Sequence, residues 1–205
     1  MRVHVKICGI RDLADALVAV DAGADAIGFV MSDSVRRLTP AEASAIAARL
    51  PESVERVAVF RRPRPAEVEA AIGALAACLV QADHDAVGEA LGARLVPVYR
   101  QSPGVAAAIE ADLARRGTAR FLYEGPRSGT GETVDWRGAH HLGRLGRMTL
   151  AGGLTPDNVG EAIRIARPFG VDVSSGVESR PGIKDPGLIR EFVAAVRETE
   201  RGAAS

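Results

Sequence analysis

The feature that most constrains this chain is a repeated alternation. Eight short runs of Val, Ile, Leu, Phe and Ala recur along its 205 residues, each followed by a helical pattern or by a gap long enough to hold a helix. The runs lie at 3–8, 26–31, 55–60, 77–81, 94–99, 120–123, 148–151 and 171–174. Their mean spacing is about 26 residues, which suits a βα unit with little decoration. Strict βα alternation gives a parallel sheet, and eight such units close on themselves. The expectation is one (β/α)8 barrel domain over residues 1–205. The competing architecture, a doubly wound open sheet, would place a GxGxxG turn after the first strand. This chain has Cys8-Gly9-Ile10-Arg11-Asp12 there instead.

Local signals support the alternation. The first run is mostly apolar on both alternations, as a strand covered on both faces should be. A helix is expected from Asp12 to Ala22, and Gly23 marks its end before the second strand. Thr39-Pro40 opens the next helix, with Thr39 as N-cap and Glu42 three residues on. Further helices are expected at 66–76, at 105–116, from Pro156 to Ala166 with Thr155 as cap, and from Pro186 to about Glu200. Pro97 weakens the fifth strand. Segment 136–146 reads as helical only in part, and Gly125 to Glu132 as a loop long enough to move.

Charge and cysteine content narrow the function. Lys plus Arg and Asp plus Glu are 26 each, so the formal net charge is zero. A protein that grips nucleic-acid phosphates would show a basic excess, so no nucleic-acid partner is expected. No apolar run reaches the ~18 residues of a spanning helix, so no membrane partner is expected. Cys8 and Cys78 lie 70 residues apart in apolar runs, which is no disulfide framework and suits a reducing cytoplasm. No secretory leader pattern is visible at the N-terminus. His4, His84, His140 and His141 make no metal-ligand spacing, and no metal site is expected. The pair His140-His141 reads as surface, and Cys78 as mid-strand core.

A barrel gathers the carboxyl ends of its strands on one face, where ligands bind. Those ends carry Cys8, Arg36 in the second loop, Gln81, Glu124, Gly152-Gly153 and Ser174-Ser175-Gly176. A free Cys is more commonly a small buried hydrophobe than a reactive thiol. An arginine on a polar loop is as a rule solvated, yet an arginine fork is also the usual partner of a carboxylate. Glu124 ends an apolar strand, a costly place for a carboxylate without a role or a partner. Asp172 sits inside an apolar strand and needs hydrogen bonds there. It could orient a ligand or cap a neighbouring loop. The Gly and Ser clusters after strands seven and eight expose backbone N–H groups where such barrels bind phosphate.

Several of these stretches also resemble a known family. Val5-Lys6-Ile7-Cys8-Gly9, Gly23-Ala24-Asp25-Ala26-Ile27-Gly28-Phe29-Val30 and Arg36 before Thr39-Pro40-Ala41-Glu42 are similar to phosphoribosylanthranilate isomerase. So are Gly129-Thr130-Gly131 through Asp135-Trp136, the run Leu150 to Val159, and Val171 to Glu178 followed by Pro181-Gly182 and Lys184-Asp185. The resemblance implies an isomerase that opens the furanose of an N-phosphoribosyl anthranilate and performs an Amadori rearrangement, a step of tryptophan synthesis. It implies no cofactor and no metal, and a small phosphosugar substrate. Cys8 matches the family's general base and Arg36 the group that holds the anthranilate carboxylate. Asp172 matches a substrate-facing aspartate, and Gln81 a surviving residue of the substrate loop. Gly152, Gly153, Ser174 and Gly176 match the phosphate-gripping loops. A neutral thiol is a poor base, so Cys8 is expected to have a lowered pKa, from Lys6 or a helix N-terminus.

Two positions depart from the family pattern. The family's general acid is an aspartate twelve residues before the Trp of its Asp-Trp pair, and here that position is Glu124. The family's Gln-Leu-His-Gly after strand four is here Gln81-Ala82-Asp83-His84. The alternatives to the isomerase reading are a paralogue acting on a related N-glycoside or phosphosugar, and a non-catalytic phosphosugar-binding barrel. Both a monomer and a homodimer are compatible with the sequence.

Overall fold

Each strand of the chain alternates between two environments, and that alternation builds the barrel. In a computed structural model, residues 2–76, 78–87, 91, 94–116, 119–126 and 133–202 are described. Eight parallel strands close into a barrel in sequence order: β1 (His4–Cys8), β2 (Ala26–Val30), β3 (Glu55–Val59), β4 (Leu79–Asp83), β5 (Leu95–Arg100), β6 (Arg120–Glu124), β7 (Arg147–Leu150) and β8 (Gly170–Val173). Closure comes from β1 pairing with β8, with Lys6 opposite Asp172. On β1, Val5 and Ile7 are fully buried in the large core together with Ala16, Phe192 and Val196 from the surrounding helices. The intervening residues Lys6 and Cys8 face the barrel axis, where a small second cluster of Val98, Leu122 and Ala151 also lies. The sequence shows period-two alternation between helix-facing and axis-facing side chains because successive Cβ atoms leave opposite faces of a strand.

The outer layer is α1 (Leu13–Ala22), α2 (Pro40–Ala47), α3 (Pro65–Ala74), α4 (Val105–Arg116), α5 (Trp136–Leu142), α6 (Val159–Ala166) and α7 (Pro186–Gly202). The Thr39–Glu42 capping box forms as expected, with Glu42 Oε2 accepting from Thr39 N at 2.7 Å and Thr39 Oγ1 accepting from Glu42 N at 3.3 Å. A short antiparallel pair, β9 (Glu178–Arg180) with β10 (Ile183–Lys184), decorates the loop after β8. No helix among the described residues is long and apolar enough to cross a membrane.

Two local expectations are corrected. Helix α6 begins at Val159, not Pro156, and Thr155 is not its cap. Asn158 takes over this corner: its Oδ1 accepts from Thr155 N at 2.8 Å and its Nδ2 donates to Gly153 O at 2.8 Å. Residues 155–158 are thereby held as a turn. Cys78 is buried as expected but precedes β4, which runs on to Asp83. His141 is exposed and His140 half-buried. The expected strand start at Ala77, the Gly129-Thr130-Gly131 motif and most of the 125–132 loop lie outside the described residues.

Candidate active site

The carboxyl ends of the strands surround a cavity of about 280 Å³. Cys8, Arg36, Gln81, Glu124, Gly152, Gly153, Asp172, Ser174 and Gly176 all line it. Every site residue expected from the sequence therefore opens onto one space, although they come from six different βα units. Positions 8 and 124 in particular share this cavity.

The floor is charged. Lys6 Nζ donates to Asp172 Oδ1 at 2.9 Å, and both side chains are buried. Gly28 stands opposite Cys8 in the β1–β2 register. A Cβ there would meet Cys8 Sγ at 2.9 Å and Lys6 Nζ at 3.1 Å, so only glycine leaves room for both. Burial by itself lowers Lys6, but Asp172 and the Cys8 sulfur outweigh it and hold the ammonium above its ordinary value. Cys8 is displaced the other way from the sequence expectation. Burial pushes its thiol up, and the attraction of Lys6 and Lys184 for a thiolate only partly offsets this. Burial thus favours the thiol form of Cys8 over the thiolate, even with two lysines close by. Burial depends on tertiary packing, so the motif alone gave no sign of it.

One wall holds Arg36. Its Nε and Nη2 donate to Glu178 Oε1 and Oε2, each at 2.7 Å. Nη1 has no protein partner among the described residues. Lys184 Nζ donates to Glu178 Oε1 at 2.9 Å and to Ser174 O at 2.9 Å. Burial raises Glu178, but the hydrogen bonds from Arg36 and Lys184 prevail and keep the carboxyl below the usual carboxylate range. Lys184 is itself lowered, since burial outweighs Glu178. This Arg36–Glu178–Lys184–Ser174 chain ties the loop after β2 to the loop after β8.

The opposite wall is a second ionic group. Arg100 Nη2 lies 2.8 Å from Asp83 Oδ1 and 3.1 Å from Glu124 Oε1. The rim between the two walls is backbone. Gly152 and Gly153 hold φ of 94° and 63°, a region open to glycine at no steric cost. A Cβ on Gly176 would stand 1.8 Å from Leu154 O, so the loops after β7 and β8 meet main chain to main chain. Such rims present N–H donors to an anion.

The chain can be set beside known proteins. The family model described as N-(5'phosphoribosyl)anthranilate (PRA) isomerase matches residues 5–195. This chain belongs to that family. Among curated relatives, N-(5'-phosphoribosyl)anthranilate isomerase of Geobacter sulfurreducens is 42% identical over 198 residues, covering 93% of this chain and 97% of the relative. The phosphoribosyl anthranilate isomerase structure from Thermus thermophilus superposes with a TM-score of 0.82 at 35% identity, covering 97% and 99% of the two chains. A further family structure, in complex with reduced 1-(o-carboxyphenylamino)-1-deoxyribulose 5-phosphate, gives 0.79 at 34% identity, covering 96% and 99%.

Within this isomerase family fold, sequence reasoning missed Glu178, Lys184, Asp83 and Arg100 as members of the site. Glu178 and Lys184 stand inside the motifs noted above, and a Glu and a Lys flanking a Pro-Gly turn are a usable signal. Arg100 gave none, because its partners sit on two other strands.

Proposed function

We propose that this chain isomerises N-(5'-phosphoribosyl)anthranilate to 1-(2-carboxyphenylamino)-1-deoxyribulose 5-phosphate, a step of tryptophan biosynthesis, by general acid–base catalysis. The observation that carries the reading is the convergence of nine expected residues from six βα units on one cavity. The ligand in the related family structure has a carboxyphenyl group, a sugar chain and a phosphate. This cavity offers a matching group for each.

The phosphate sits on the backbone N–H groups of Gly152, Gly153, Ser174 and Gly176. Arg36 takes the anthranilate carboxylate with Nη1, its Nε and Nη2 being engaged by Glu178. Gln81 and Asp172 bind the sugar hydroxyls. Glu124 gives a proton to the ring oxygen as the C1′–O4′ bond breaks. The bond's electron pair stays on that oxygen, and the nitrogen lone pair forms the iminium. Cys8, as thiolate, then removes the C2′ proton. The C–H electron pair becomes the C1′=C2′ bond, and the iminium electrons return to nitrogen. The enolamine tautomerises to the ketone, and the thiol and carboxylate recover their starting protonation by exchange with water. Lys6 and Lys184 favour the thiolate and offset part of the cost of burying it. Two unbridged buried cysteines suit a reducing, cytoplasmic compartment.

The test is to generate the substrate enzymatically and follow the fluorescence change on its turnover. Cys8→Ala and Glu124→Ala should each lower kcat by at least ~100-fold, the usual scale for losing one acid–base group. Wild-type turnover no faster than that of these variants would end the proposal.

A further inference from the structure

Beside the proposed acid stands a residue that none of the sequence motifs contains. Arg100 is the last residue of β5 and pairs in register with Glu124, the last residue of β6. Directly paired residues present their side chains on the same side of a sheet, and here both line the cavity. Arg100 Nη2 is shared between Glu124 Oε1 at 3.1 Å and Asp83 Oδ1 at 2.8 Å. Asp83 is buried, with its side chain 8% exposed. It faces Arg62 Nη1 at 3.9 Å, and Arg62 in turn forks onto Asp85. One nitrogen of the Arg100 guanidinium thus bridges the two carboxylates, and buried Asp83 anchors it beside Glu124.

Arg100 stands between two carboxylates that come from the strands on either side of it. A glutamate carboxyl hangs on one more rotatable bond than an aspartate carboxyl. Without an anchor it samples positions about 1–1.5 Å from where a proton must be delivered, and a misplacement of about 1 Å can cost around 100-fold in rate. We propose that Arg100, pinned by Asp83, is the positioning residue that fixes the Glu124 carboxyl for proton delivery. The arginine also stands ready for the negative charge that Glu124 acquires on giving up its proton, and preorganised charge of this kind needs no rearrangement during the reaction. The inference rests on the reading of Glu124 as the acid.

The experiment is a double-mutant cycle on the full chain, with Arg100→Gln, Glu124→Asp and the double variant compared in the turnover assay. Arg100→Gln should lower kcat about 10–100-fold and leave KM within about 3-fold. Arg100→Lys should restore part of the loss. In Glu124→Asp the carboxyl draws back out of reach of Arg100, so adding Arg100→Gln there should cost less than about 3-fold. An equal cost in both backgrounds, a loss confined to KM, or no loss at all would overturn the proposal. Glu124→Ala separates the two claims: full turnover in that variant removes the acid itself, whereas a dead variant with a harmless Arg100→Gln removes only the positioning role. Should Arg100→Gln show no cooperative melting, Asp83→Ala removes the guanidinium's other anchor. It must then lower kcat and lose that effect in the Glu124→Asp background, or the proposal fails.

Discussion

Replacing Lys6 by Met should make the Cys8 thiol harder to ionise, by an amount the geometry bounds. The Cβ position on Gly28 lies 2.9 Å from Cys8 Sγ and 3.1 Å from Lys6 Nζ, so sulfur and nitrogen are no more than 6.0 Å apart. At that distance and an effective dielectric of about 20, the attraction between thiolate and ammonium is about 2.8 kcal/mol, about 100-fold in the ionisation equilibrium. The sign is upward, because the variant loses the cation that favours the thiolate. Asp172, freed of its partner, pushes in the same direction. Thiolate absorbance against pH measures this directly. A Cys78→Ala background removes the other buried thiol. The rising limb of kcat/KM should move up with it. Asp172 is left buried without its partner, so stability should also fall, by about 3–5 kcal/mol, in chemical denaturation. A titration midpoint that stays put or moves down would refute the account of the site's electrostatics, however large the loss of activity.

Gly176→Ala would place a methyl 1.8 Å from Leu154 O. Main chain cannot yield that far without moving the rim, so product affinity measured by calorimetry should drop at least ~10-fold, with a stability loss of about 1–3 kcal/mol or more. Glu178→Gln should raise KM by loosening Arg36, and should cost about 3–5 kcal/mol because Lys184 stays buried without its counter-charge. Glu178 titrates below its unfolded value, so its contribution is full above a pH of about 4.3 and fades as pH falls through the lower folded value. Denaturation curves across the acid range should show a shallower decline for Glu178→Gln than for wild type.

Much of this was legible along the chain. The strands fall within one or two residues of their expected bounds, and the Thr39–Glu42 cap forms as its spacing requires, because these signals concern neighbours in sequence. The start of α6 at Val159 differs from the sequence expectation for a tertiary reason. Pro156 suits a first helical turn, yet Asn158 spends its side chain on Gly153 and Thr155 and holds that corner open. The Cys8 thiol is pushed up where Lys6 predicts it lowered, since a nearby lysine can be counted from the sequence and the cost of burial cannot.

By itself the sequence determined the parallel barrel, its order and the face on which Cys8, Arg36, Glu124 and the glycine loops would meet, since βα alternation leaves few ways to bury its apolar faces. Tertiary structure alone decided which charges meet there. Arg36 with Glu178 spans 142 residues, and Lys6 with Asp172 spans 166. Such pairs are set by strand register and barrel closure, and no local preference of the chain encodes them.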